Sequence, residues 1–370
     1  MRIGLGLIVF LALVLAVLVE VHRLGDAHFD FGVFYYAAHM VLDGSRHALY
    51  DLGAQRAFQA RFHRPPSQLF YYPPFALIPF LGITWLPYEL SFAVWTAVSL
   101  ILLVLCIKTL ASYAGVDYGN WPILLSLAFM PIAANLAHGQ LSIVVLSSYV
   151  LTYSLWRKGR PFLGGVALAI ADFKFQLVAG FIAVLFLKRK WRELAGFASA
   201  SSLFLLASIL MAGVPSLLSY PAFVRHSEGG IGSEPGNMAS WRGLAALFGQ
   251  HHVALLLALS VVTILWAAWA WVDLDRGFSA AILATMLVSY HFNPQDLSLC
   301  LVPFFLSRKA GILPGRRLPM FAFLALFAPT GLAAIGAPFA LLAVLLAAAL
   351  WWLGKNALRR PRLNIETGQK

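Results

Sequence analysis

The chain has 370 residues, 61% of them hydrophobic and only 11% charged, and a formal net charge of +12. Soluble domains run at about 45–50% apolar and about 25% charged, so this composition excludes an ordinary water-soluble protein. The apolar runs are continuous and rich in Leu and Ala, unlike the alternating pattern of a membrane β-barrel. The positive charge suits the cytoplasmic loops of a helical membrane protein better than nucleic-acid binding.

The first apolar run, 3–22, follows Met1-Arg2. No small-residue cleavage site follows it, so it reads as an uncleaved first helix. A polar and aromatic segment over 23–75 comes next and is expected to lie at the membrane interface. Further apolar runs fall near 89–110, 121–137, 141–156, 162–172, 175–187, 194–213, 253–272, 278–290, 297–307, 318–334 and 337–353. The expectation is a single all-α integral membrane domain over 1–370 with about twelve crossings, several of them short enough to need tilt or local thinning. A second loop is expected over 214–250, on the same side as 23–75.

With the N-terminus placed inside and the spans alternating, both termini are cytoplasmic and 19 of the 27 Lys and Arg residues lie inside. They form clusters at 157–160, 188–192, 308–317 and 355–362, as the positive-inside rule expects. The outer set is Arg23, Arg46, Arg56, Arg61, Arg64, Lys174, Arg225 and Arg242. All ten histidines fall on the outer side or at outer helix ends, although they played no part in setting the topology. Longer outer loops explain part of that bias. They do not explain His138, Lys174, His291 and Asp296, which sit in short breaks between apolar runs.

Four segments invite chemistry. His28-Phe29-Asp30-Phe31 places a carboxylate just past the first helix among aromatics. Asp30 there is either the N-cap of a helix over 31–42 or a general base toward a hydroxyl, and the two roles are compatible. Asp43-Gly44 and Leu49-Tyr50-Asp51 read as structural turns, with Gly44 at a helix end. Tyr72-Pro73-Pro74-Phe75 suits a rigid re-entry at headgroup level. His138-Gly139-Gln140 interrupts an apolar stretch, as a plain turn or as two hydrogen-bonding groups beside a close backbone approach.

Asp172-Phe173-Lys174 places an expensive lysine between short apolar runs. It is either paired with Asp172 or available to a lipid-borne phosphate. His291-Phe292-Asn293-Pro294-Gln295-Asp296 is a second polar break, and Pro294 keeps it from continuing as helix. No phosphate-cradling Gly-rich loop with Lys-Ser or Lys-Thr, helical His-Glu-x-x-His pattern or nucleophile elbow is present. The two cysteines, Cys106 and Cys300, lie in apolar runs and suggest neither a disulfide framework nor a thiolate metal site. No metal or cofactor is expected.

In order and spacing these segments resemble glycosyltransferase family 87, of the GT-C class of polyprenyl-phosphate-mannose-dependent mannosyltransferases. The likeness rests on Asp30 with Tyr35-Tyr36-Ala37, Asp43-Gly44 before Leu49-Tyr50-Asp51, Tyr72-Pro73-Pro74-Phe75, Leu86-Pro87 before Trp95, Gly139-Gln140, and Lys174 after Gly164-Gly165. The match around His291 and Asp296 is looser. Two positions depart from the family's habit: Ser142 stands where Asn is frequent, and Phe175 where Pro is frequent.

The resemblance implies inverting transfer of a sugar, mannose in the best-known members, from a polyprenyl-phosphate donor to a lipid or glycan hydroxyl at the outer face of the cytoplasmic membrane. It implies Asp30 as base, Lys174 on the donor phosphate and His291 orienting a substrate, with Tyr72, His138, Gln140 and Asp296 lining the pocket. A lipid or sugar transporter is the competing expectation. It needs polar residues along a path through the membrane, whereas here they gather at one level, and no internal repeat favours it. A non-catalytic assembly subunit is the third, disfavoured by the presence of both Asp30 and Lys174.

Overall fold

The computed structural model describes residues 29–62, 68–116, 121–227, 234–249, 252–309, 328–332 and 335–357. The expected first helix, 3–22, lies outside them, as does most of the run 318–334. The described residues are helical, with no strand among them. The principal helices are α1 (Phe29–Leu42), α2 (Leu52–Ala60), α3 (Tyr88–Tyr113), α4 (Met130–His138), α5 (Ser142–Arg157), α6 (Pro161–Leu168), α7 (Ala179–Leu187), α8 (Trp191–Ser227), α9 (Trp241–Leu247), α10 (Val253–Ala270), α11 (Leu274–Val288), α12 (Leu301–Lys309) and α13 (Leu342–Ala357).

Three helices among the described residues are long and apolar enough to cross a membrane alone: α3, α8 over Trp191–Arg225, and α10. A fourth candidate is a bent pair, Pro161–Leu177 with Ala179–Leu187, turned by 117° at its break. Their exposed faces carry Leu105, Leu203, Leu210, Leu257 and Val262, the surface of a helical membrane protein. About twelve crossings is therefore more than these helices account for. The expected run at 121–137 is divided by a turn, 3-10 segments occupy the junction between the runs 162–172 and 175–187 and the start of the run 297–307, and the run 278–290 lies almost wholly in α11.

The 23–75 segment, where described, is compact. Aromatic rings seat α1: Phe34 stacks on Phe80 at 4.6 Å, and Phe31 meets Tyr88 and Phe92 edge-on at 5.3 Å each. Asp43 and Asp51 serve backbone turns, as their spacing suggests. Asp43 accepts from the Ser45 N–H at 3.0 Å, and Asp51 caps α2 by accepting from the Ala54 N–H at 2.7 Å. Gly44 takes a left-handed φ of 92° after α1.

The described residues of the 214–250 region are largely helical. α8 runs on past a kink at Gly213, where φ is 79°, and its far end packs on the first segment. Ser216 donates to the His47 carbonyl at 3.0 Å and Tyr220 to the Tyr71 carbonyl at 2.9 Å.

Candidate functional site

The aromatic-proline segment comes first, because its backbone is held on three sides. Tyr50 donates to the Tyr72 carbonyl at 2.7 Å, the Phe75 N–H donates to Ser208 Oγ at 3.1 Å, and Tyr220 holds Tyr71. Fixed in this way, the partly exposed Tyr72 side chain reaches Gln140, donating to its Oε1 at 3.3 Å. Burial, followed by the carboxylates of Asp30 and Asp296, pushes the Tyr72 phenol well above its ordinary range, so it remains a neutral donor. Both carboxylates therefore lie within electrostatic reach of one hydroxyl.

Gln140 is buried and leaves the α4–α5 turn, whose geometry depends on Gly139. That residue has φ 67° and ψ 35°, and a Cβ there would sit 2.7 Å from Phe31 Cβ. Glycine alone allows both the left-handed backbone and the approach of α1. The Trp95 indole N–H donates to the Gly139 carbonyl at 2.9 Å and pins the turn to α3. The same turn carries His138, whose Nδ1 lies 3.5 Å from Asp30 Oδ2. This is ion-pair range rather than a formed hydrogen bond, and Nδ1 has no other partner among the described residues. Asp30 is not the N-cap that its position before 31–42 suggested. It lies inside the first turn of α1, where the helix dipole favours a carboxylate and its oxygens stay free of capping.

The second half of the site is dry. Lys174 interrupts the 3-10 segment Ala169–Leu177 with non-helical φ −132° and ψ 72°, a kink that carries its chain away from Asp172. Its amine donates to Asp296 Oδ1 at 2.7 Å and to Ser142 Oγ at 3.0 Å, while Ser142 donates to the same Asp296 oxygen at 2.6 Å. Lys174 is 1% exposed and Asp296 is fully buried. Pairing with Asp172 is thus replaced by pairing with Asp296, and Asp172 instead accepts from Ser201 on α8. Asp296 is an enclosed ion-pair partner rather than a pocket wall. Its other oxygen accepts from the Asn293 backbone N–H at 2.9 Å, which organises the break before the 3-10 segment Pro294–Cys300.

His291 stands partly buried at the start of that break. Burial lowers its basicity, opposed by Asp296 and assisted by Lys174 and Arg242, so it is neutral at pH 7. Its Nε2 lies 3.4 Å from Asn293 Nδ2.

All seven residues singled out in the sequence thus fall into two adjoining groups. Asp30, His138, Tyr72 and Gln140 form the more open one. Lys174 and Asp296 form the closed one, with His291 at its edge. The α4–α5 turn joins them, because Gln140 serves the first group and Ser142 the second. One participant was missed. Ser142 registered only as a departure from a family habit, and its position in the turn was the available signal. No group of three or more His, Cys, Asp or Glu residues suited to a metal occurs among the described residues.

An all-helical chain with apolar helices long enough to cross a membrane, and with carboxylate, imidazole and phenol groups gathered at its helix breaks, is of the helical membrane-protein class. A sequence model of glycosyltransferase family 87 matches residues 70–294, more than half of the chain. The chain belongs to that family, and is accordingly a glycosyltransferase acting between a sugar donor and an acceptor. The matched range includes Tyr72, His138, Gln140, Lys174 and His291, but neither Asp30 nor Asp296. No curated protein and no solved structure matches the chain.

Proposed function

We propose that the protein transfers a sugar, mannose in the first instance, from a polyprenyl-phosphate donor to a lipid or glycan hydroxyl, with inversion, at the outer face of the cytoplasmic membrane. Asp30 is the base. The acceptor oxygen attacks the anomeric carbon while its proton passes to the Asp30 carboxylate. The bond from that carbon to the phosphate oxygen breaks, and the leaving polyprenyl phosphate keeps the electron pair. No metal or nucleotide takes part in this scheme.

The observation that carries this reading is the state of Asp30. It is an uncapped, partly exposed carboxylate within 3.5 Å of an imidazole and close enough to the Tyr72 phenol to shift it. A base needs a carboxylate that is held in place yet reachable by the acceptor. Neutral His291 and Tyr72 would supply hydrogen bonds to sugar hydroxyls. Lys174, enclosed by Asp296 and Ser142, serves this site by fixing the His291 break against the α4–α5 turn, and direct contact with the phosphate is not open to its amine in this conformation.

The test is incubation of the purified protein with a panel of polyprenyl-phosphate sugars and scoring of transfer. Asp30→Asn should lower the rate by roughly 10²- to 10⁴-fold, the usual contribution of a positioned base, with donor binding and thermal stability kept. An Asp30→Asn protein transferring at the wild-type rate overturns the base assignment, and wild-type protein that uses no such donor overturns the donor class.

A further inference from the structure

We infer that His138 is the positioning residue of Asp30: its Nδ1–H donates to Asp30 Oδ2 and leaves the second carboxylate oxygen to the acceptor hydroxyl. The inference deepens the function proposed above and rests on Asp30 as its base.

Backbone packing brings the two side chains together. His138 is the last residue of α4 and Gly139 follows it, while Asp30 lies in the first turn of α1 and Phe31 follows it. Gly139 and Phe31 make the close approach that leaves no room for a Cβ at 139, so their neighbours His138 and Asp30 are set side by side. Each side of that approach is held. Trp95 pins the Gly139 carbonyl, and the rings of Tyr88 and Phe92 close on Phe31. The 3.5 Å between Nδ1 and Oδ2 follows from this packing. Both side chains stay partly exposed, as groups that meet a substrate must.

Chemistry then fixes where the hydrogen sits. Nδ1 is buried and makes no hydrogen bond among the described residues. Its charged neighbour, as the carboxylate a base must be, only accepts. A bare Nδ1 would set one lone pair against another, whereas Nδ1–H faces an acceptor, and the neighbour selects that tautomer. The distance exceeds the about 2.7–2.9 Å of a charge-assisted bond, and catalytic hydrogen bonds are often long before substrate tightens them. During transfer the imidazole keeps its proton. The acceptor's proton passes to the free Asp30 oxygen, the acceptor oxygen bonds to the anomeric carbon, and the polyprenyl phosphate leaves with the electron pair. His138 supplies direction: a carboxylate free to turn presents either oxygen, and one held at Oδ2 presents the other.

The experiment has two arms on the full chain in nanodiscs. In the first, transfer kinetics compare the wild type, His138→Ala and His138→Asn. Asparagine places an amide nitrogen as many bonds from the backbone as Nδ1, so it can donate to Oδ2. His138→Ala should lose roughly 10²-fold in kcat, the cost of a misplaced reacting group, with both KM values kept. His138→Asn should recover most of that loss. An alanine loss under about tenfold, a loss that falls on KM instead, or an asparagine variant as slow as alanine overturns the inference. The second arm reads the tautomer directly, by NMR of isotope-labelled histidine at about pH 8, above the ordinary imidazole range. The His138 signal is assigned by its absence from His138→Asn. It should report Nδ1–H in the wild type and lose that preference in Asp30→Ala. Nε2–H in the wild type, or a tautomer indifferent to Asp30→Ala, overturns the inference. The two claims fail separately: full transfer by Asp30→Asn rejects the base, and a wild type without transfer rejects the donor class, while the tautomer still decides the pair.

Discussion

The two halves of the site differ in how their charges are housed. Asp30 and His138 stand 3.5 Å apart with side chains 15% and 19% exposed, whereas Lys174 and Asp296 stand 2.7 Å apart with almost no exposure. The first pair is looser and partly exposed, and its His138 Nδ1 makes no hydrogen bond among the described residues. The second is tight, dry and braced by Ser142 and the Asn293 backbone. A base must exchange protons with a substrate and cannot be sealed. A pin that joins distant helix breaks is most effective when it is. The contrast assigns chemistry to the open half and architecture to the closed one.

The sharpest way to break this division is to exchange what each half loses. Asp30→Asn should remove activity while leaving the melting temperature in place. Lys174→Met should do the reverse in kind: it leaves Asp296 charged and unpaired in a dry site, a loss of about 3–5 kcal/mol. Adding Asp296→Leu to Lys174→Met removes the orphaned charge and should recover part of that stability in a thermal melt. A single mutant that melts like wild type would show that the pair is not enclosed, and the architectural assignment would fail.

The hinge between the halves is a smaller target. Gly139→Ala must hold a left-handed backbone, at roughly 1–2 kcal/mol, and must also displace Phe31, whose Cβ lies 2.7 Å from the added methyl. Overpacking of that kind costs about 1–3 kcal/mol more. Both halves should suffer together, with lower stability and slower transfer. Loss of one property alone would show that the turn does not couple them.

These contrasts mark how far the sequence could be read. Breaks between apolar runs located His138, Lys174, His291 and Asp296, since polar residues are costly there. Gly44, Asp43 and Asp51 were legible because turn and cap chemistry is local. The partner of Lys174 was not. Asp172 lies two positions away and Asp296 lies 122, and only the kink at Lys174 makes the distant carboxylate the nearer one. The role of Ser142 was out of reach for the same reason: a small hydroxyl gains its meaning from two partners contributed by other segments, Lys174 and Asp296. The apolar runs were legible, but their straightness was not, because apolar length says nothing about whether a run is divided by a 3-10 segment. The stacking of Arg242 on Tyr290 was equally out of reach, since it is a relation in space between residues 48 apart in the chain.

His291 lies where the two halves meet, and it gives the smallest and most specific effect. Its folded-state basicity is depressed below the ordinary value of 6.5, chiefly by burial. The unfolded chain therefore takes up its proton first as pH falls. The resulting stabilisation is fully present above about pH 6.5 and is lost as pH drops below that value toward the depressed one. Replacement by Asn, which cannot titrate, should flatten this part of the stability profile between about pH 7 and 5, by on the order of 1 kcal/mol for each unit of depression. Transfer by the wild type should fall over the same window if the neutral ring is the form that binds sugar. A His291→Asn profile as steep as that of the wild type would move the titration to another group, with His39, also depressed by burial, the next to replace.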